Sequence, residues 1–232
     1  MSTLRRAAVV IPAHNEEALL ARCLTSVCAA VDLVHRIRPD LRTQVVLVLD
    51  RCTDGSAAIA RTFPAVHTLG LDAGCVGRAR AAGVDAALAS MPRPERSWVA
   101  CTDADSQVPA SWLVHHVGAA ERGIDLLIGA VHPDPDDLQP ETLGKWRARH
   151  RLGGPHDHVF GANLGVRAST YAEIGGFPGI SVGEDVALVA AAREHHARVA
   201  HTARASVLTS GRHAGRAPDG FAAYLRELDR SG

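Results

Sequence analysis

Four times in its first half the chain alternates a short apolar run with a helical pattern. These are Ala7–Ile11 then Glu16–Ala30, Val45–Leu49 then Ser56–Phe63, Val66–Leu69 then Arg78–Ala89, and Trp98–Cys101 then Pro109–Ala120. Continuous Val/Ile/Leu runs of this length suit parallel strands covered on both faces. The intervening segments carry one apolar stripe, as Leu19, Leu20, Cys23, Leu24 and Val27 do. Repetition of β-α units demands an α/β architecture with a single doubly wound, mostly parallel sheet and helices on both faces. A length of 232 residues with 47% hydrophobic content is enough for one large domain, or two intimately packed halves. We find no internal repeat and no interdomain linker.

The pattern then loosens. A strand over Asp125–Val131 leads into His132-Pro-Asp-Pro-Asp-Asp-Leu-Gln-Pro, which cannot continue a central strand and reads as a mobile surface segment. Beyond it the pattern predicts helices over Glu141–His150, Ser169–Ile174, Glu184–His195 and Phe221–Leu228. Strands are expected over Phe160–Arg167, Arg198–His201 and Ser206–Leu208.

Open parallel sheets bind ligands outside the carboxyl ends of their strands, and four polar clusters stand at such ends. They are Pro12-Ala-His-Asn-Glu-Glu, Asp50-Arg-Cys-Thr-Asp-Gly-Ser, Gly70-Leu-Asp-Ala-Gly-Cys-Val-Gly-Arg-Ala-Arg, and Asp103-Ala-Asp105. Two carboxylates one residue apart at a strand end suit a divalent cation, although surface turns are rich in Asp for conformational reasons alone. Asn15, with Glu16 and Glu17, serves equally as a helix N-cap or a ligand contact, and Asp54 reads as an N-cap. Asp50 closes its strand without being placed for that cap, which points to ligand contact. Arg78 and Arg80, in the first turn of a helix, either meet an anion or are ordinary solvated arginines. Glu184-Asp185 at a helix start suits either capping or acid/base work.

A formal charge of +0, from 25 basic and 25 acidic residues, gives no global attraction to nucleic acid or an anionic membrane. Five cysteines without a C-x-x-C pair fit free thiols in a reducing compartment. No run approaches a signal peptide or a transmembrane span, so a soluble, cytoplasmic protein is expected. The 13 histidines show no zinc spacing, and most, such as His115-His116 and His195-His196, fall on expected helix surfaces. His156, Asp157 and His158 form a polar loop. Neither a G-x-G-x-x-G fingerprint nor a phosphate loop is present.

Taken in order, these clusters resemble family 2 glycosyltransferases of the GT-A fold across nearly the whole chain. Val9-Val-Ile-Pro-Ala-His-Asn-Glu-Glu resembles the family's opening strand and turn, and Val48-Leu-Asp-Arg-Cys-Thr-Asp-Gly-Ser its V-D-D-x-S-x-D-G-T segment. Gly77-Arg-Ala-Arg-Ala-Ala-Gly is similar to K-G-x-A-R-N-x-G, and Asp103-Ala-Asp105 stands where D-x-D is expected. Gly161-Ala-Asn-Leu-Gly-Val-Arg with Ile174-Gly-Gly-Phe resembles the acceptor-side strand and turn, and Gly183-Glu-Asp the E-D motif.

The resemblance implies a GT-A domain over 1–232, with a nucleotide-sugar half (about 1–105) and an acceptor half (about 106–232) that adds a smaller acceptor-side β element. Pro12, Ala13, Glu16, Asp50 and Arg80 would cradle the nucleotide. Asp105 with Asp103 would hold Mn²⁺ or Mg²⁺, Asp103 alternatively contacting the donor's ribose or sugar. His213, with His201 behind it, would be a further metal ligand. Asp185 would deprotonate the acceptor in an inverting displacement, and Glu184 would orient acceptor or donor. The implied partners are a UDP- or GDP-sugar and a small-molecule or lipid-linked hydroxyl acceptor, with a homodimer left open. Leu49 replaces the first Asp of V-D-D and Ala81 the Asn of A-R-N. A Q-x-x-R-W motif is absent, with Arg212 and Arg216 only loosely comparable, which argues against polymer synthesis. Alternatives are a retaining enzyme on the same scaffold, a sugar nucleotidyltransferase, and an inactive nucleotide-sugar binder.

Overall fold

Along the first strand, Val9 and Ile11 enter one core while Ala8 and Val10 enter another. The computed structural model, which describes residues 3–150, 158–212 and 221–230, shows this alternation in strands β1 (Arg6–Ala13), β2 (Arg42–Asp50) and β4 (Ser97–Cys101). Side chains of successive strand residues leave opposite faces, so continuous apolar runs feed two cores at once. Helices α1 (Leu20–Ile37) and α4 (Trp112–Glu121) cover one face, and α3 (Val76–Leu88) covers the other. The short α2 (Ser56–Ala60) precedes β3 (Val66–Leu71).

These strands run parallel in the order β3-β2-β1-β4. Strand order reverses between β1 and β4, so their carboxyl ends, Ala13 and Cys101, flank the crevice where such sheets bind ligands. The sheet continues through β7 (Leu164–Arg167), β6 (Leu126–Pro133), β8 (Val199–Thr209) and a two-residue edge, β5 (Ser106–Gln107). β7 is antiparallel to β4 and to β6, β8 is parallel to β6, and β5 is antiparallel to β8. Helices α5 (Pro140–Arg149) and α8 (Phe221–Arg230) share a small core of Leu138, Trp146, Leu225 and Leu228, while α6 (Ala168–Glu173) and α7 (Glu184–Glu194) complete the second face. Among the described residues no helix is long and apolar enough to cross a membrane.

Several expectations are corrected. The first helix starts at Leu20, not near Glu16, because Asn15 adopts φ 54° and turns its Oδ1 to the Thr53 N–H (2.7 Å). Glu16 N–H and Glu17 N–H likewise bond to Ser56 Oγ (3.0 Å) and Asp54 Oδ2 (2.9 Å), so the residues read as caps join the β1 and β2 loops. Residues 132–140 are only in part a surface loop, with Pro135, Asp136, Asp137, Gln139 and Pro140 exposed. His132 and Pro133 extend β6, Asp134 is buried in an ion pair with Arg22 (2.7 Å), and Asp137 receives the Ser210 hydroxyl and Gly211 N–H. The strand expected from Phe160 begins only at Leu164, after a 3-10 turn over Gly161–Asn163. The two late strands are one, β8, kinked at Ala205 (φ 55°), where its register against β6 shifts.

His116 is fully buried rather than on a helix surface. Trp98 Nε1–H donates to its Nδ1 (3.3 Å), so the proton sits on Nε2, which donates to Asn163 Oδ1 (3.2 Å). The same Asn163 oxygen accepts from Trp112 Nε1 (2.8 Å), and its Nδ2 donates to Ala130 O (2.9 Å). This network fixes the turn that precedes β7.

Candidate active site

The carboxyl ends of β1, β2 and β4, the 3-10 turn at Gly161 and the start of α7 border one cleft of about 720 Å³. Pro12, Ala13, Glu16, Asp50, Arg80, Asp103, Asp105, Glu184 and Asp185 all line it. His213, His156 and Asp157 lie outside the described residues. His201 sits within β8, bonded to Arg193, and is not among the lining residues.

At the end of β2, Asp50 accepts from the N–H groups of Ala73 (2.7 Å), Gly74 (2.9 Å) and Cys75 (2.9 Å), which bends the chain into α3. Burial pushes its carboxyl up, but those backbone donors outweigh burial and hold it below the usual carboxylate range. Its cleft-facing place therefore comes with a structural duty.

Arg80 leaves the first turns of α3 and is 3% exposed. Its guanidinium donates to Asp103 Oδ1 (2.6 Å), Glu184 Oε1 (3.0 Å) and the carbonyl of Gly161 (2.7 Å). The anions it meets are thus carboxylates of the protein itself. On the other side of the turn, Gly161 N–H donates to Asp185 Oδ2 (2.7 Å), while Asp185 Oδ1 accepts from Val186 N–H (2.8 Å). Both oxygens of Asp185 are oriented by backbone, and the side chain still borders the cleft. Gly183, at φ 78°, supplies the left-handed conformation that turns the chain into α7.

The pairing of β5 with β8 brings Thr209 beside Asp105, and Thr209 Oγ1 donates to Asp105 Oδ1 (3.3 Å). Three residues on, Arg212 bridges Glu16 Oε2 (2.7 Å) and Asp105 Oδ2 (3.0 Å). Burial raises the Asp105 carboxyl to about 6, with Asp103 and Glu16 adding repulsion that Arg212 only partly offsets. Asp103 is also raised, first by burial, against the pull of Arg80. Burial raises Glu184 as well.

Among the described residues no three His, Cys, Asp or Glu side chains form a ready-made metal cage. The Asp103 and Asp105 carboxylates nevertheless offer hard oxygen donors at a place short of positive charge. This fits Mg²⁺ or Mn²⁺ held by one or two carboxylates, with phosphate and water oxygens completing the shell.

Sequence reasoning did not place Arg212 on Glu16 and Asp105, the grip on Gly161, or the aromatic wall of Phe160, Phe221 and Tyr224 in the lining of the cleft. A strand-end pair of acids in need of a counter-charge was the available signal for an arginine. The wall had none, since its members are some sixty residues apart.

Residues 8–172, more than half of the chain, match the family model for glycosyl transferase family 2. No curated protein matches the sequence. The fold is similar to that of S. aureus TarS 1-349 in complex with UDP, with TM-score 0.65 and 15% identity over 88% of this chain and 60% of that one. It is also similar to the mannosyltransferase PcManGT from Pyrobaculum calidifontis in complex with GDP-Man and Mn²⁺ (TM-score 0.60, 18% identity, 96% of this chain and 68% of that one). A third similar structure is glucosyl-3-phosphoglycerate synthase from Mycobacterium tuberculosis in complex with Mn²⁺, uridine-diphosphate and phosphoglyceric acid (TM-score 0.60, 16% identity, 97% and 76%). At these identities the likeness is one of fold, and the chain spans 60% of the S. aureus 1-349 chain. With the family match and the strand-end site in agreement, the chain belongs to glycosyl transferase family 2 and has its GT-A fold.

Proposed function

We propose that the protein moves one sugar from a UDP- or GDP-sugar to a hydroxyl acceptor, with inversion and with Mn²⁺ or Mg²⁺ bound at Asp105 and Asp103. The observation that carries this reading is Arg80, which ties Asp103 at the end of β4 to Glu184 at the start of α7. That link holds the Asp103 carboxylate and a backbone-oriented carboxylate, Asp185, on the same cleft, an arrangement that suits a diphosphate-metal site beside a base.

In this reading Pro12, Ala13, Glu16 and Asp50 form the nucleotide side, with Asp50 also holding the 73–75 turn in place. Glu184 and Arg80 act as positioning residues. Asp185 accepts the proton of the acceptor hydroxyl, whose oxygen attacks the anomeric carbon as the bond to the nucleoside diphosphate breaks. The bound cation would supply positive charge to the departing diphosphate. Arg212, in contact with Glu16 and Asp105, is a second cation at that end of the cleft.

Thermal melting with UDP and GDP, each with and without Mn²⁺, tests the donor site. Wild-type protein should be stabilised by a nucleoside diphosphate plus Mn²⁺, and Asp105→Asn should lose the metal-dependent part of the shift. An equal shift in the variant refutes the metal assignment.

A further inference from the structure

Four large hydrophobic residues are exposed among the described residues, and three of them lie within seven positions around the proposed base. Ile180 is 43% exposed, Val182 38% and Val186 54%, the other being Ile37 on the far end of α1. Scattered exposed apolar residues need no explanation, but a cluster beside a concave site does. The segment carrying them is not loosely attached. Gly77 N–H at the start of α3 donates to Ile180 O (3.2 Å), and a Cβ at Gly77 would come within 2.6 Å of that oxygen and closer still to Pro178 O. Glycine at 77 lets the lip lie directly on α3.

The same cleft is lined by an aromatic cluster, Phe160, Phe221 and Tyr224. Phe160 and Phe221 meet edge to face (5.7 Å between centroids), and Trp146 packs against Phe221 (5.2 Å) and Tyr224 (5.6 Å) from behind. The small core under α5 and α8 holds these rings in place. Valines 182 and 186 and the residues Phe160, Phe221 and Tyr224 thus line the same cleft that Asp185 borders.

Charge on the described lining is one-sided. Glu16, Asp50, Asp103, Asp105, Glu184 and Asp185 face two guanidinium groups, and both Arg80 and Arg212 already bind two of those carboxylates. An acceptor bearing phosphate or carboxylate would meet repulsion there. A carbohydrate would set hydroxyls against the Val182 and Val186 side chains, which offer them no partner.

Building on the glycosyltransferase reading, we infer that the acceptor is an uncharged alcohol with an apolar body, seated against the Val182/Val186 lip and the Phe160/Phe221/Tyr224 wall with its hydroxyl at Asp185. Apolar burial sets the affinity, and Asp185 sets the orientation.

The test uses the full chain with Mn²⁺ and either UDP-glucose or GDP-mannose, against the alcohols butanol to octanol, 2-phenylethanol, glucose and 3-phosphoglycerate. Transfer efficiency should rise by up to about fourfold per added methylene along the alkyl series. In Val182→Asp/Val186→Asp, both at exposed positions, the slope should flatten while UDP or GDP with Mn²⁺ still raises the melting temperature as in wild type. A flat slope in wild type, an unchanged slope in the variant, or preference for glucose or 3-phosphoglycerate overturns the inference and leaves the donor reading intact. Absence of both nucleotide-dependent stabilisation and donor turnover overturns the glycosyltransferase reading, and this inference with it.

Discussion

Replacing Arg80 with Met keeps most of its volume and removes the guanidinium that joins Asp103, Glu184 and the Gly161 carbonyl. Removing one member of a buried ion pair costs about 3–5 kcal/mol, because the partner is left charged and desolvated. Glu184 is 4% exposed and suffers most. It escapes by binding a proton, and at pH 7 protonating a carboxyl whose unfolded-state pKa is about 4.3 costs about 3.7 kcal/mol. That sets the ceiling for its share. The sign follows from linkage: burial already raises Glu184, and loss of Arg80 raises it further. A carboxyl with a raised folded-state pKa binds more protons folded than unfolded, so stability falls as pH rises from about 4.3 through the raised value. The stability deficit of Arg80→Met relative to wild type should therefore be about 3–5 kcal/mol at pH 7 and smaller at pH 5. Urea unfolding at both pH values measures it. Adding Glu184→Gln to Arg80→Met should restore about 2 kcal/mol at pH 7 and reduce the pH dependence. A deficit below about 1 kcal/mol, or one that is the same at both pH values, refutes the assignment of Arg80 as the counter-charge of Glu184.

Asp185→Asn should lower kcat by about 10² to 10⁴ while the melting shift with nucleoside diphosphate and Mn²⁺ persists. The wild-type product should have the anomeric configuration opposite to the donor, and retention would exclude Asp185 as the base. His116, pushed down to about 4 chiefly by burial, stays neutral in the fold while the unfolded chain takes up a proton below about 6.5. Its contribution to stability is present above that pH and declines by about 3 kcal/mol as pH falls to about 4. The stability difference between wild type and His116→Gln should shift by about 2.4 kcal/mol between pH 7 and 4.5, and a constant difference refutes the reading.

The N-terminal half was legible because each piece of it is local. An apolar run ending in Asp50 or in Asp103-Ala-Asp105 marks a strand end whatever the rest of the chain does, and the β-α repeat announces the parallel pairing of β3, β2, β1 and β4 but not their order. Local reading failed where polar groups had two suitors. Asn15 carries every mark of a helix cap, yet the neighbouring loop offers its oxygen the Thr53 N–H, and the helix starts five residues later. His116 carries the mark of a helix surface, but Trp98, Trp112 and Asn163, brought from separate elements, satisfy it inside the core. Arg212 reaches Asp105 only because β8 runs alongside β6 and then pairs with β5, a registry no short window contains.

Arg80 shows why the two halves of the site are not independent. Its anchors come from the end of β4, from the turn before β7 and from α7, so it fixes Asp103 relative to the segment that presents Asp185. Gly161 is held from both sides, its carbonyl by Arg80 and its N–H by Asp185. A shift of that turn would move the base and release the arginine together. Asn163, two residues on, prevents such a shift by binding the β6 backbone at Ala130 and the Trp112–His116 pair behind it. The proposed base therefore owes its position to a buried polar network as much as to its own helix. Substitutions at Asn163 should accordingly reach the chemistry through the Gly161 turn, without any contact to donor or acceptor.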